Sequence, residues 1–364
     1  MEIKSILVLV ILSFFTLKVQ AKYFESISIK NKNIEIQIDS KLELFHIMLY
    51  LAGSDNLNKL DCEYKIKINE YFEKYKNDNS IQFVKRVKDN YHANLVLNNV
   101  FINKDYKFTN TIEFLTVTSF GLENNKENKI KILDSLILVV DLFGKKTDFK
   151  SFINGQKVYY IRKLEQVSKI VESMNLVNNF ETFWGEKKDM YKMVVTLLAE
   201  DIQSASFTEN GQLLSVFYLA PRFVVNNDIN WGNSDSSNYQ KGKITAFDFI
   251  YYGAGHEFGH TFVDPMLDIY SQKIDSMNLV IKTYDPSNIT FLSESIQRSA
   301  TSYFLIKNGR EELAKSVLED EINRGYIYNE IIIKLLFEYE KNREKYKSFR
   351  DFLPILLGEL NINT

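Results

Sequence analysis

Residues 244–265 constrain the fold more than any other stretch of the chain, because they contain His256-Glu257-Phe258-Gly259-His260. On an α-helix, residues four apart return to nearly the same face one turn further along, so both imidazoles can reach a single metal ion from one side. Glu257 projects differently and can stay unliganded, where it exchanges a proton with a water activated there. Only four histidines occur in the whole chain, and two of them stand in this pentapeptide with a Glu between them. The pattern therefore asks for a helix, expected from about 245 or 247 to 262, because Pro265 cannot continue a helix and restricts Asp264 before it. Gly253, Gly255 and Gly259 each cost roughly 1 kcal/mol of helix propensity relative to Ala. Three such costs in one helix point to close approach by another backbone or by substrate.

Two histidines do not complete a catalytic zinc site, which has three protein ligands and an open position. No histidine follows His260, so a downstream ligand must be a carboxylate. Glu294, in the next strongly helical stretch at 291–307, is the first choice, since a helix returning antiparallel brings it opposite the two histidines. Arg298, one turn beyond Glu294, is placed to orient that carboxylate. Asp264 and Asp268, just past the metal helix, are the alternatives for the third ligand. The expected cofactor is one Zn2+ ion held by His256, His260 and Glu294, with Glu257 catalytic. A structural site would need a fourth protein ligand, and no Cys or third His is near enough in sequence to supply one.

His256, Glu257 and His260 resemble the motif of the zincin metallopeptidases. The metzincin continuation requires Gly at 263 and His at 266, where this chain has Val263 and Met266. With Glu294 downstream, the likeness is to the gluzincin branch. The early Leu49-Tyr50-Leu51-Ala52-Gly53, an export leader and the run from His256 to Pro265 are also similar to an exported bacterial group catalogued only as a domain of unknown function, which brings no substrate with it. The zincin resemblance implies a zinc metallopeptidase acting on a peptide or protein, with Glu257 as general base and then general acid. It also implies that an edge strand of a hairpin at 191–219 binds extended peptide by β-augmentation. For the second oxyanion donor, Tyr303, Tyr326, Tyr328 and Arg298 come into question. Two rival readings stand beside this one: a zinc hydrolase of a non-peptide amide or ester, and a secreted binding or scaffold protein with a vestigial metal site.

The remaining sequence sets the frame. Residues 6–17 are almost wholly apolar after Lys4, and Val19-Gln20-Ala21 suits cleavage after Ala21, so 1–21 read as a signal peptide and the chain as exported, periplasmic or secreted. That run is too short for a comfortable span, and no other stretch suits one, so no stable membrane insertion is expected after cleavage. A net charge of -2 without a segregated basic cluster gives no electrostatic support for nucleic-acid binding. Cys62 is the only cysteine, which excludes an internal disulfide. His46, among Leu, Phe and Ile, reads as a packed histidine, and His92 has no ligand spacing around it. The 364 residues, with 27 Phe and 21 Tyr, suffice for a substantial core.

Patterning gives an α+β, helix-rich fold: a zincin-like catalytic core with a β-hairpin or small sheet beside the HExxH helix, and a helical scaffold. Two short strands around Asn31-Lys32-Asn33 are followed by helices at 41–51, in two parts of 64–87, at 131–142, and at 148–183 with a break at Asn154-Gly155. Asn210-Gly211 marks a hairpin between 191–198 and 213–219, although 191–201 also suits a helix. The polar loop 221–243, with Trp231, is expected to border the cleft. Helices follow at 291–307, 311–323, 328–346 and 348–360, with Pro354 kinking or splitting the last. The expected division is a signal peptide at 1–21, an α+β scaffold at 22–186, the catalytic region at 187–310 and a helical region at 311–364.

Overall fold

The computed structural model describes residues 24–31, 34–54, 63–87, 126–198, 203–209, 212–219, 228–229, 244–283 and 287–362. The leader at 1–21, Cys62, His92, the turn Asn210-Gly211 and all of the loop 221–243 except 228–229 lie outside the described residues. Strands β1 (Ile27–Asn31) and β2 (Ile34–Ile38) come first, as the alternating isoleucines predict. Helix α1 (Ser40–Leu51) starts at Asp39, whose carboxylate accepts from the backbone N–H groups of Lys41 and Leu42. It stops at Gly53, which takes the left-handed conformation at φ 78 that a side chain would disfavour. Next come α2 (Glu63–Phe72), α3 (Asn79–Val87), α4 (Lys126–Lys146) and α5 (Phe149–Met174).

Two compact units emerge, and their division falls within α5. One comprises Met1–Ile27 and Ile38–Arg162; the other comprises Ser28–Gln37 and Lys163–Thr364. In the first unit, α1, α3 and α4 pack on one another. Its centre is an aromatic cluster in which Phe72 meets Phe152 at 4.9 Å and Phe143 at 6.2 Å, and the Tyr64 and Tyr160 hydroxyls lie 2.6 Å apart. His46 is fully buried there, its ring tilted against Phe45 at 6.0 Å. The expected break at Asn154-Gly155 does not occur. One glycine costs a helix of 26 residues only about 1 kcal/mol, and the chain breaks instead at Asn175, which sits at φ 47 before α6 (Leu176–Trp184).

The second unit holds a five-stranded sheet in the order β1-β2-β3-β5-β4, completed by β3 (Met190–Val195), β4 (Gln203–Glu209) and β5 (Gln212–Leu219). Strand β3 is parallel to both β2 and β5, whereas β4 is antiparallel to β5. The hairpin across 210–211 therefore joins β5 to 203–209, not to 191–198 as patterning suggested, and 191–195 is strand, not helix. A central strand covered on both faces reads as a continuous apolar run, while an edge strand carries a weak, polar signal such as Gln-Ser-Ala-Ser-Phe-Thr-Glu. Within β3, Lys192 is buried and faces Glu35 in register on β2, at 3.9 Å.

A two-residue pair, β6 (Asp228–Ile229) with β7 (Ile244–Thr245), leads into α7 (Ala246–Ile269), which carries the histidine motif. Helix α7 is apolar around most of its girth, with Ile250, Ala254, Phe258, Phe262, Val263 and Met266 all buried, as befits a helix at the centre of a unit. It packs against β4 and β5 and against α9 (Asn288–Lys307), with the short α8 (Ser271–Asp275) between them in sequence. Helices α10 (Glu311–Asn323), α11 (Asn329–Lys341) and α12 (Phe349–Ile362) follow; α10 and α11 pack on α9, and α12 packs on α11 and α6. The unit is thus helix-rich α+β. Pro354 does not split α12, which buries Phe352, Leu353, Leu356, Leu357 and Leu360 along one side. No helix among the described residues is long and apolar enough to cross a membrane.

Candidate metal centre

The HExxH helix does not end before Pro265 as expected; α7 runs on to Ile269. Proline has no N–H, so the carbonyl of Thr261 loses its helical donor. The Lys188 ammonium fills that place, donating to the Thr261 carbonyl at 2.7 Å while lying over the Phe262 ring at 4.6 Å. This side chain from the loop before β3 allows the helix to carry Asp264 in helical register with His260.

Helices α7 and α9 run antiparallel, as their successive contacts show. Asp264 meets Ser293, Gly259 meets Gln297, Gly255 meets Phe304, and Asp248 pairs with Arg310 at 2.6 Å. The expected close approach at the glycines is real at Gly259, where an added Cβ would lie 1.9 Å from Gln297 Oε1, and is an ordinary contact at Gly255. This packing brings Glu294 between the two histidines. His256 Nε2 and His260 Nε2 are 3.3 Å apart, Glu294 Oε2 is 3.5 Å from His256 Nε2, and Glu294 Oε1 is 3.5 Å from His260 Nε2. Among the described residues these three are the group able to offer one ligand atom each within 4.8 Å.

The separations fit one ion. Ligands about 2.0–2.1 Å from a tetrahedral zinc lie about 3.3–3.4 Å from one another; the two Nε2 atoms are 3.3 Å apart, and each has one Glu294 oxygen at 3.5 Å, Oε2 for His256 and Oε1 for His260. Glu257 is half-buried and outside the trio, and its charge acts on His260. Asp264 and Asp268 are not among the converging donors. Asp264 instead stands 3.2 Å from His260 Nδ1, the nitrogen facing away from the trio, and Ser293 Oγ is 3.0 Å from the same nitrogen and donates to Asp264. A metal-binding histidine commonly has its second ring nitrogen held in this way. His256 Nδ1 is buried without a hydrogen-bond partner among the described residues.

Electrostatics separate the two imidazoles. Burial, and then the charges of His260, Arg298 and Arg324, hold His256 well below the usual histidine value. Burial also acts to lower His260, but the hydrogen bond and charge of Asp264, with Glu294 and Glu257, outweigh it and raise it to about 9. Behind Glu294, Arg298 Nη2 donates to Oε2 at 2.8 Å, which is the orienting contact expected from their spacing. The same guanidinium donates through Nη1 to Glu321 at 2.8 Å and lies 4.4 Å from the Tyr326 ring centre. Of the residues considered for oxyanion binding, Tyr303, Tyr326 and Tyr328 are buried, and Arg298 is committed to two carboxylates.

Sequence reasoning missed Ser293 and Glu321. Ser293 is adjacent to Glu294 and on that ground was a findable neighbour; Glu321 lies on another helix with no local signal. Asp264, an alternative for the third ligand by sequence, stands four residues after His260, a position that equally suits an orienting partner. No curated protein and no solved structure matches the chain. A family model does match, over residues 34–358, and the chain belongs to the family described as Domain of unknown function (DUF4932).

Proposed function

We propose that this chain is a zinc-dependent hydrolase, a metallopeptidase of gluzincin type. The observation that carries the reading is the convergence of His256 Nε2, His260 Nε2 and the Glu294 carboxylate, one ligand atom from each lying within 4.8 Å of the others, contributed by an HExxH helix and by the helix antiparallel to it. His256, His260 and Glu294 would hold the ion. When bound, zinc supplies Lewis acidity, which acidifies a water and polarises a substrate carbonyl.

The chain's own residues do the rest. The Glu257 carboxylate takes a proton from the attacking water and later delivers it to the leaving amine, so that one water is consumed for each peptide bond broken. Asp264 and Ser293 fix the ring plane of His260 through Nδ1, and Arg298 fixes the plane of Glu294. A peptide is favoured as substrate because α7 packs beside β4, an edge of the sheet among the described residues, and a sheet edge can take an extended chain as a further strand. The test is cleavage of casein or a peptide library by wild type and by Glu257→Gln, alongside bound-zinc analysis. Turnover lost in Glu257→Gln with zinc retained supports the reading, and stoichiometric zinc without cleavage of any peptide overturns the peptidase.

A further inference from the structure

Glu321 is an uncommon residue to find where it is. Its side chain is 0% exposed, and one oxygen, Oε1, accepts from Arg298 Nη1 at 2.8 Å, Arg324 Nη1 at 3.2 Å and the Tyr252 hydroxyl at 3.3 Å. These donors come from α9, from the end of α10 and from α7, where Tyr252 stands one helical turn before His256. A buried ion pair is weak evidence for stability, since well-packed apolar residues often do as well in its place. Fold stability alone is therefore a poor account of a fully buried carboxylate here.

The geometry gives a more specific account. An arginine facing a carboxylate alone tends to form two parallel N–H bonds to its two oxygens. Such a fork on Glu294 would engage both Oε1 and Oε2 and draw them away from the histidines. In this chain Nη1 of Arg298 is taken by Glu321 and Nε is buried without a hydrogen-bond partner among the described residues, and the guanidinium is turned so that a single group, Nη2, reaches Glu294, at Oε2 only. Oε1 remains 3.5 Å from His260 Nε2. The guanidinium cannot easily swing out of this arrangement, because its face rests on Tyr326, which in turn stacks on Phe291 at 5.8 Å with the rings 8° from parallel.

We infer that Glu321 is a positioning residue for the metal-binding carboxylate: it holds Arg298 by Nη1, fixes with Tyr326 the orientation in which Nη2 alone meets Glu294, and so keeps Glu294 aimed at the two histidines. This rests on the metal-site reading above. Its charge also counters that of Arg298, so that the guanidinium does not withdraw from Glu294 the negative charge a cation needs.

The experiment measures Zn2+ affinity by chelator competition and the visible spectrum of the Co2+-loaded full chain, for wild type, Glu321→Gln, Arg298→Gln and the double variant. Glu321→Gln keeps shape and an acceptor but removes the charge that anchors Arg298. The expected result is a metal affinity about 10–100-fold lower and an altered Co2+ spectrum. In the Arg298→Gln background, Glu321→Gln should add little further loss, because the residue acts through Arg298. A merely structural Glu321 would lower the melting temperature of the metal-free protein and leave the affinity and spectrum of the folded fraction unchanged, which overturns the inference. Should Glu321→Gln fail to fold, Arg298→Lys decides, because a lysine is a point charge that cannot bridge two carboxylates in this way. Wild-type affinity in Arg298→Lys contradicts the inference. Failure of wild type itself to bind Zn2+ or Co2+ would instead sink the metal-site reading.

Discussion

Lys188 Nζ donates to the Thr261 carbonyl at 2.7 Å, at the one point where Pro265 deprives α7 of a backbone donor. The lysine stands in for a helical N–H, and the helix carries on past the proline to Ile269. Lys188→Met leaves that carbonyl without its charged donor and is expected to cost about 1.5–3 kcal/mol in urea unfolding. Pro265→Ala restores an N–H at the position, so the double variant should recover most of the loss. Equal stability of Lys188→Met and wild type would show that solvent serves the carbonyl as well.

Gly259 and Gly255 differ in what surrounds them, and alanine should destabilise at the first and not at the second. At Gly259 an added Cβ would lie 1.9 Å from Gln297 Oε1, and Gln297 is fully buried, with its amide unpartnered among the described residues. Overpacking of this kind costs about 1–3 kcal/mol, against a gain of up to about 1 kcal/mol in helix propensity, so Gly259→Ala should destabilise. Shortening the neighbour in Gly259→Ala/Gln297→Ala should return part of it. The nearest atoms to a Cβ at Gly255 belong to Phe304 and Phe180, at 3.6 and 3.7 Å, and Gly255→Ala should leave stability unchanged or raise it by up to about 1 kcal/mol. Thermal unfolding of the metal-free protein reads both.

Asp264 and Glu294 bear on the same histidine from opposite sides, and their roles separate by degree. Glu294→Ala removes one of three converging donors and should abolish most zinc binding. Asp264→Asn removes only a charge 3.2 Å from His260 Nδ1 and should weaken zinc about 10-fold to 100-fold. Asp268→Asn, away from the converging donors, should have wild-type affinity. A larger loss for Asp264→Asn than for Glu294→Ala would move the ligand assignment to Asp264.

How legible all this was in the sequence follows from the range of each interaction. His256, Glu257 and His260 declare themselves by spacing on one helix, and Glu294 with Arg298 by spacing on the next; helical periodicity also gave most of the remaining helices. What failed depended on partners distant in sequence. The helix end at Pro265 was misplaced because Lys188, 77 residues upstream, supplies the missing donor. The hairpin was assigned the wrong first strand because β3 is a buried central strand and β4 a polar edge. Glu321 carries no local mark at all, since its meaning lies in Arg298 on another helix. Asn154-Gly155 failed for the opposite reason: a local helix-breaking signal was outweighed by the length of α5.

The most direct test of the central claim is one metal analysis of the purified chain. Zinc content is measured by elemental analysis after dialysis against metal-free buffer, for wild type, Glu257→Gln and His256→Ala/His260→Ala, with peptide hydrolysis assayed on the same samples. The account expects one zinc per chain in wild type and in Glu257→Gln, none in the double histidine variant, and hydrolysis by wild type alone. Zinc retained at one per chain without the two histidines, or hydrolysis undiminished in Glu257→Gln, would contradict it.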